Sequence, residues 1–388
     1  MFVNRLDSPA LIPISKPPRA AYIHVPFCTH RCGYCNFTLV ANRNELVEPY
    51  LRAIGKELAL LGKAHPVDTL YFGGGTPTQL SCDNFQRLAD LVMQWHPLAE
   101  DYEWTVEANP MDVTIQQIKL FEALGVTRIS LGVQSFDPQK LQLLERDHEV
   151  ADNSRAATLV KEGGMQVAVD LIFGCPQETL LTWQSDIDSV LLLEPNHIST
   201  YGLTFEKGTQ FWSRKQKGQL LELEEDGQRQ MYEMAIDQLT AARFEHYEVS
   251  NFARSGRRSR HNQVYWSGAP FFAVGPGASR YVGGVRETNH RSTTTYLKRV
   301  LAGESPVAER EELSPEGRAR ELLVFGLRRL EGIDREEFFQ QTTWQVDGLV
   351  GSQLARLCQL NLLQDDGRRV RLTRKGLLVS DALWPEFL

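Results

Sequence analysis

Six cysteines in 388 residues, no excess of basic charge and no long apolar run are the first features of this sequence. With three cysteines packed at 28, 32 and 35 and the others isolated at 82, 175 and 358, a disulfide framework is excluded. No stretch approaches the roughly 20 apolar residues needed to cross a bilayer. The first 20 residues lack the basic and apolar regions of a secretory signal, so the expected location is the cytoplasm. A formal net charge of −7 argues against a general nucleic-acid binder, although a local basic patch remains compatible with it. Hydrophobic residues at 42% and charged residues at 23%, with unremarkable glycine and proline, exclude extended disorder.

What is present is a βα rhythm through the first half. Short β-branched or aromatic runs at 21–26, 69–73, 103–107, 128–134, 166–173 and 197–204 alternate with segments long enough for crossover helices. Glu45 to Gly62, Thr114 to Leu124 and Asp152 to Glu162 read as helices, the last two stopped by glycines. Parallel strands follow from such connections. The expectation is an α/β chain: an extension over 1–20, a partial (β/α)6 barrel over 21–206, and an α+β connecting region over 207–312. A small helical, winged-helix-like domain over 313–388 completes it. The chemically unusual residues fall at the strands' C-terminal ends, where barrels build their sites.

The run CTHRCGYCNF begins at Cys28 and puts three thiols on a loop at the barrel mouth. Three thiolates can hold three irons of a four-iron cube and leave the fourth iron open to an exchangeable ligand. S-adenosylmethionine can fill that position through its amino and carboxylate groups. The alternative is a structural zinc site with His30 or His24 as fourth ligand, although zinc pairs usually come as two distant knuckles. Gly73–Gly74–Gly75–Thr76–Pro77 follows a strand directly; glycine there permits close backbone approach to a ligand, and a tight turn explains it equally well.

The cysteine spacing, the GGGTP run and the six βα units together resemble the radical S-adenosylmethionine superfamily. Within it, the chain resembles the branch that holds oxygen-independent coproporphyrinogen III dehydrogenase and a heme chaperone. The resemblance runs from Tyr22–Pro26 through VEANP (Val106–Pro110), GVQSF (Gly132–Phe136) and VDLIFG (Val169–Gly174) to the C-terminal segment. It implies a [4Fe-4S] cluster on Cys28, Cys32 and Cys35. It further implies that Tyr22 lies near the methionine carboxylate of S-adenosylmethionine, that Gly74, Gly75 and Thr76 meet its amino group, and that Glu107 binds its ribose. Gln134, Arg146 and Asp170 would complete that pocket.

Two features separate the branch members. The dehydrogenase motif resembles one with a further cysteine two positions after the third ligand, where this chain has Phe37. His261–Asn262–Gln263–Val264–Tyr265–Trp266 resembles the HNxxYW signature of the heme chaperone and stands beside Arg254, Arg257, Arg258 and Arg260. A histidine with aromatic faces and guanidinium groups suits heme: an axial nitrogen, stacking surfaces and partners for propionates. The competing account is a hydrogen-bonded loop histidine next to a solvated basic turn. The expected function is therefore binding of heme and its transfer to an acceptor protein, a respiratory or transiently met membrane-associated acceptor among the candidates. The alternatives are radical oxidative decarboxylation of coproporphyrinogen III and a heme-modifying radical methyltransferase. Oligomeric state is not legible.

Overall fold

The computed structural model describes residues 17–388. Of the extension expected over 1–20, positions 1–16 lie outside the described residues.

Six parallel strands form the barrel: β1 (Ala20–Val25), β2 (Val67–Gly74), β3 (Leu98–Ala108), β4 (Arg128–Gln134), β5 (Gln166–Phe173) and β6 (His197–Gly202). Helices α1 (Val47–Ala59), α2 (Cys82–Trp95), α3 (Ile115–Leu124), α4 (Val150–Glu162) and α5 (Leu180–Leu192) cross between them. Local chemistry sets the helix ends. Thr114 and Gln117 form a reciprocal capping box at the start of α3, and Gly125 ends that helix at φ 84°.

The strands alternate with period two, and the alternation divides chemistry by face. On β4, Ile129, Leu131 and Val133 point outward and are buried against the helices, while Arg128, Ser130, Gly132 and Gln134 line the interior. Trp104 and Val106 on β3, and Val167, Val169 and Leu171 on β5, continue the outer apolar layer. The interior is therefore polar and hollow, unlike the side-chain-filled centre of a complete eight-stranded barrel.

Helix α6 (Glu225–Ala241) follows the barrel and packs on α5, and the sheet continues beyond the βα rhythm. Segments of the expected connecting region extend it at both edges, as β7 (Glu245–Glu248), β8 (Asn251–Ala253) and β9 (Phe272–Val274). The order is β9-β1-β2-β3-β4-β5-β6-β8-β7, with β9 parallel to β1 and β8 antiparallel to both β6 and β7. The region between Arg254 and Phe272 holds α7 (Arg260–Trp266), which closes the N-terminal end of the barrel. Glu57 of α1 ties this half to the first: its carboxylate accepts from Tyr296 Oη (2.6 Å), Asn289 Nδ2 (2.7 Å) and the Gly275 amide (2.9 Å).

The final segment runs helix, strand, helix, helix, hairpin: α8 (Pro315–Arg328), Ile333–Asp334, α9 (Arg335–Thr342), α10 (Val346–Gln359), then Leu363–Asp365 paired with Arg369–Leu372. That is the order of a winged-helix module. Two short helices follow, Arg374–Leu377 and Ser380–Leu383. Among the described residues no helix is long and apolar enough to cross a membrane.

Candidate functional site

The loop carrying the cysteines is held at both ends and from within. Val40 donates to the Pro26 carbonyl (2.7 Å) and Asn42 to the Cys28 carbonyl (2.9 Å). Inside the loop the Arg31 guanidinium gathers the carbonyls of Cys35 (3.4 Å), Phe37 (3.3 Å) and Leu39 (3.0 Å). The helical turn Gln210–Gln216 presses on it from outside, with the Phe211 amide donating to the Gly33 carbonyl at 3.0 Å. A Cβ at Gly33 would stand 2.5 Å from the Phe211 ring, so only glycine allows that approach.

One cavity of about 880 Å³ begins at this loop and descends through the barrel. All twelve site residues expected from the sequence line it: Cys28, Cys32 and Cys35 at the mouth, Gly74, Gly75, Thr76, Glu107, Gln134 and Arg146 around the strand ends, and Tyr22, Asp170 and His261 deeper. None of the six cysteines is in a disulfide. Arg146 Nη1 lies 3.6 Å from Cys32 Sγ, while its Nη2 donates to Asn109 Oδ1 (3.1 Å) and the Gly132 carbonyl (3.0 Å). Thr76 Oγ1 is 3.4 Å from Cys28 Sγ. Burial pushes the Cys28 thiol up to about 12, with Thr76 acting in the opposite sense. Loading of iron must therefore displace protons from buried thiols.

The histidines that a zinc site would need already have hydrogen-bond partners, although His30 Nε2 also lies 3.7 Å from Cys32 Sγ. His24 has Tyr22 Oη at 3.2 Å from Nδ1 and the Thr38 carbonyl at 2.6 Å from Nε2. His30 Nε2 meets the Glu145 carbonyl, and its Nδ1 faces Asp147 at 3.4 Å. Among the described residues no three His, Cys, Asp or Glu side chains converge on one ion position. A four-iron cube gives each thiolate its own iron and does not require such convergence.

The glycine run serves the protein's own packing. Gly74 sits at φ 106°, and a Cβ there would collide with the His24 ring. The amides of Gly74, Gly75 and Thr76 are all engaged, by Glu107 Oε2 (2.9 Å), the Val25 carbonyl (2.8 Å) and the Phe27 carbonyl (2.7 Å). Glu107 also accepts from Tyr71 Oη at 2.8 Å. Burial raises its carboxyl to about 7 against those two hydrogen bonds, and nearby Asp170 adds to the rise. Asp170 is itself raised to about 6 by burial, tempered by Ser199, Ser130 and Arg146. Two buried carboxyls facing one cavity favour a cationic occupant. Gln134 stands at φ 65° where β4 bulges against β5, a strained backbone at the cavity rim.

His261 lies at the bottom of this cavity, 1% exposed. Its Nδ1 is 2.9 Å from Thr69 Oγ1 and its Nε2 2.8 Å from Tyr265 Oη, with the Tyr71 ring 5.1 Å away. Burial lowers its pKa to about 3, so it is neutral. The neighbouring arginines need a correction: none of Arg254, Arg257, Arg258 and Arg260 lines the cavity. Helix α7 turns His261 and Tyr265, four residues apart, toward the barrel. The arginines face outward, with Arg254 over Phe244 (4.0 Å), Arg258 on Glu245 (3.1 Å) and Arg260 on Asp101 (3.0 Å).

Reasoning from motifs missed Arg31, Tyr71, Asn109, Arg128, Ser130, His197 and Ser199. The signal was present in the strands themselves: in RISLGVQ (128–134) every second residue is polar or glycine, which marks an inward face that is not core.

Over 95% of its length the chain is 33% identical to the heme chaperone HemW of Bacillus subtilis (strain 168), spanning 99% of that protein. This chain belongs to the HemW family. HemW of Lactococcus lactis is 34% identical over 96% of the chain and 97% of the relative. The radical SAM superfamily matches residues 22–190 and the HemN C-terminal domain residues 313–379. Membership of that superfamily implies a [4Fe-4S] cluster and S-adenosylmethionine for a HemW-type chain. Coproporphyrinogen III oxidase (HemN) of Escherichia coli shares the fold, with a TM-score of 0.85 over 96% of this chain and 90% of that one. At 21% identity that likeness concerns the fold alone.

Proposed function

We propose that this chain binds heme and delivers it to an acceptor protein in the cytoplasm, with Cys28, Cys32 and Cys35 holding a [4Fe-4S] cluster and the same cavity taking S-adenosylmethionine. The observation that carries the reading is the end-to-end identity with HemW proteins, which takes in both the cysteine loop and the His261–Trp266 segment. The cavity fits the cofactors. Three unpaired thiols share one loop, and Glu107 and Asp170 supply negative charge for a sulfonium or ammonium group. Arg146 supplies positive charge for a carboxylate. When bound, the cluster can supply one electron to the sulfonium. The protein's share is to orient the ligand and keep bulk water from it.

Phe37, 66% exposed at the cavity mouth, stands where the dehydrogenase resemblance calls for another cysteine. His261 is the heme contact in this reading, and axial ligation through Nε2 would require release of the Tyr265 hydroxyl. The test is anaerobic purification, iron and sulfide counts, heme titration, and transfer to heme-free respiratory acceptor proteins. Near four irons with sulfide, saturable heme binding and transfer support the reading. Protoporphyrinogen formed from coproporphyrinogen III, or a methylated heme by mass spectrometry, would replace it.

A further inference from the structure

Three polar side chains that the reading above leaves without a task line the N-terminal end of the barrel. Arg128 opens β4, Thr105 lies directly across from it on β3, and His197 opens β6. All three line the cavity. All three are buried, at 2%, 1% and 3% exposure.

Each has a buried polar atom without a hydrogen-bond partner: Nε and Nη1 of Arg128, Oγ1 of Thr105 and Nδ1 of His197. Arg128 uses Nη2 alone, toward Glu103 Oε2 (3.1 Å), Gln166 Oε1 (3.0 Å) and the carbonyls of Arg257 (3.0 Å) and Arg258 (3.3 Å). The N–H bonds on Nε and Nη1 are left over. Tyr247 Oη accepts from the Ser259 amide (3.3 Å) and can give its own proton to His197 Nε2 at 2.7 Å. That places the imidazole proton on Nδ1, which becomes a donor. A threonine hydroxyl can donate as well. The unpartnered set is thus able to donate throughout, and a buried group of donors is satisfied by an oxygen acceptor with several lone pairs.

Charge narrows the choice. Glu103 already offsets Arg128, and Glu107 and Asp170 stand higher in the same cavity, so a single negative charge suits the floor better than two.

We propose that Arg128, Thr105 and His197 form a carboxylate site at the barrel floor, distinct from the cysteine loop at the mouth. On the heme reading, which it rests on only for the source of the carboxylate, the site takes a propionate arm reaching down the barrel. A small free carboxylate is the other source of the same chemistry.

The experiment compares the full-length, cluster-loaded protein with its Thr105→Val and Arg128→Lys variants. Valine matches threonine in shape and removes a hydroxyl that bonds to nothing, so the unfolding midpoint of Thr105→Val should stay at the wild-type value. Lysine keeps a cation for Glu103. Heme and heme dimethyl ester are titrated against each protein, and thermal midpoints are read in sodium propionate, sodium phosphate and sodium chloride. Esterification should weaken heme binding to the wild type by about tenfold, and each variant should narrow that gap. Equal affinity of acid and ester for the wild type, with no response to propionate, would overturn the site. Stabilisation by propionate in the wild type but not in Thr105→Val identifies a free carboxylate as an occupant. Should neither heme form bind while that propionate effect persists, the heme reading falls and the floor site stands. An equal response to phosphate would overturn the carboxylate assignment.

Discussion

Glu107 shows how one residue can serve a site at a cost to the empty protein. Its carboxyl is raised from 4.5 to about 7, chiefly by burial. The unfolded chain releases that proton near pH 4.5, so between there and pH 7 the folded state holds the extra proton and stability falls as pH rises. Glu107→Gln keeps an acceptor for the Gly74 amide and a partner for Tyr71. The cofactor-free variant should therefore match the wild type at pH 4 and exceed it at pH 8 by on the order of 3 kcal/mol. Urea titrations at the two pH values measure this, and a constant difference would show that Glu107 is not buried as charge. At His261 the contrast is between Tyr265→Phe and His261→Ala. If Nε2 ligates heme iron, the first should leave heme affinity equal or tighter and the second should lower it by at least about tenfold. Optical titration under anaerobic conditions reads both.

Much of the site at this scale was legible because cysteine spacing and strand-end residues are local signals. The cavity takes in both Cys28 and His261 although 233 positions separate them in sequence. What sequence order could not show was direction. The arginines flanking His261 share its neighbourhood in the chain but not its direction: Arg260 is adjacent to it on α7 and so leaves the helix on another side, and Arg254, Arg257 and Arg258 precede the helix. Arg128 and His197 carried no motif, and only the inward alternation of their strands marks them.

At the scale of elements, the strand assignments at 128–134 and 166–173 match the observed β4 and β5 residue for residue, because each follows a helix stopped by glycine. The strand expected from 103 begins five residues earlier, at Leu98, where an exposed polar stretch pairs only through Val67 and carries no apolar pattern. The short strands β7, β8 and β9 are three or four residues each; β8 and β9 pair with β6 and β1 far away in sequence, and β7 joins the sheet only through β8, which periodicity cannot reveal. Between β4 and α5 a buried ionic group holds the loops that follow the strands. Lys140 Nζ meets Glu178 Oε1 at 2.5 Å and Asp186 Oδ2 at 2.9 Å, and Asp186 also accepts from the Phe136 amide at 2.5 Å. Removing the lysine leaves two carboxylates buried together. Lys140→Met should cost about 3 to 5 kcal/mol in chemical denaturation, and adding Glu178→Gln should recover part of it. A loss below about 1 kcal/mol would mean that water reaches this group.

For the whole molecule, the question is what the C-terminal module does for a cavity it does not line. Residues 313–388 contribute nothing to the cavity wall, yet α8 packs on α7, the element that closes the barrel floor. Arg328 stacks on Trp266 at 4.7 Å, Arg318 donates to the Gly268 carbonyl, and a Cβ at Gly268 would collide with Leu322. Gln341 reaches the Ser267 carbonyl at 3.3 Å. The module thus supports His261 and Tyr265 from behind, while the cysteine loop is held by Arg31 and Phe211 far from it. The two ends of the cavity should respond differently to damage there. Gly268→Val, which wedges α8 away from α7, should raise amide exchange across 259–267 by at least about tenfold, because fewer buried contacts then hold that unit closed. Exchange across 28–42 should stay within about twofold. Heme binding should weaken in parallel while iron and sulfide content hold. If the cysteine loop loosened equally, the barrel would open as one cooperative unit, and the module would be a general stabiliser of the fold with no selective hold on the floor.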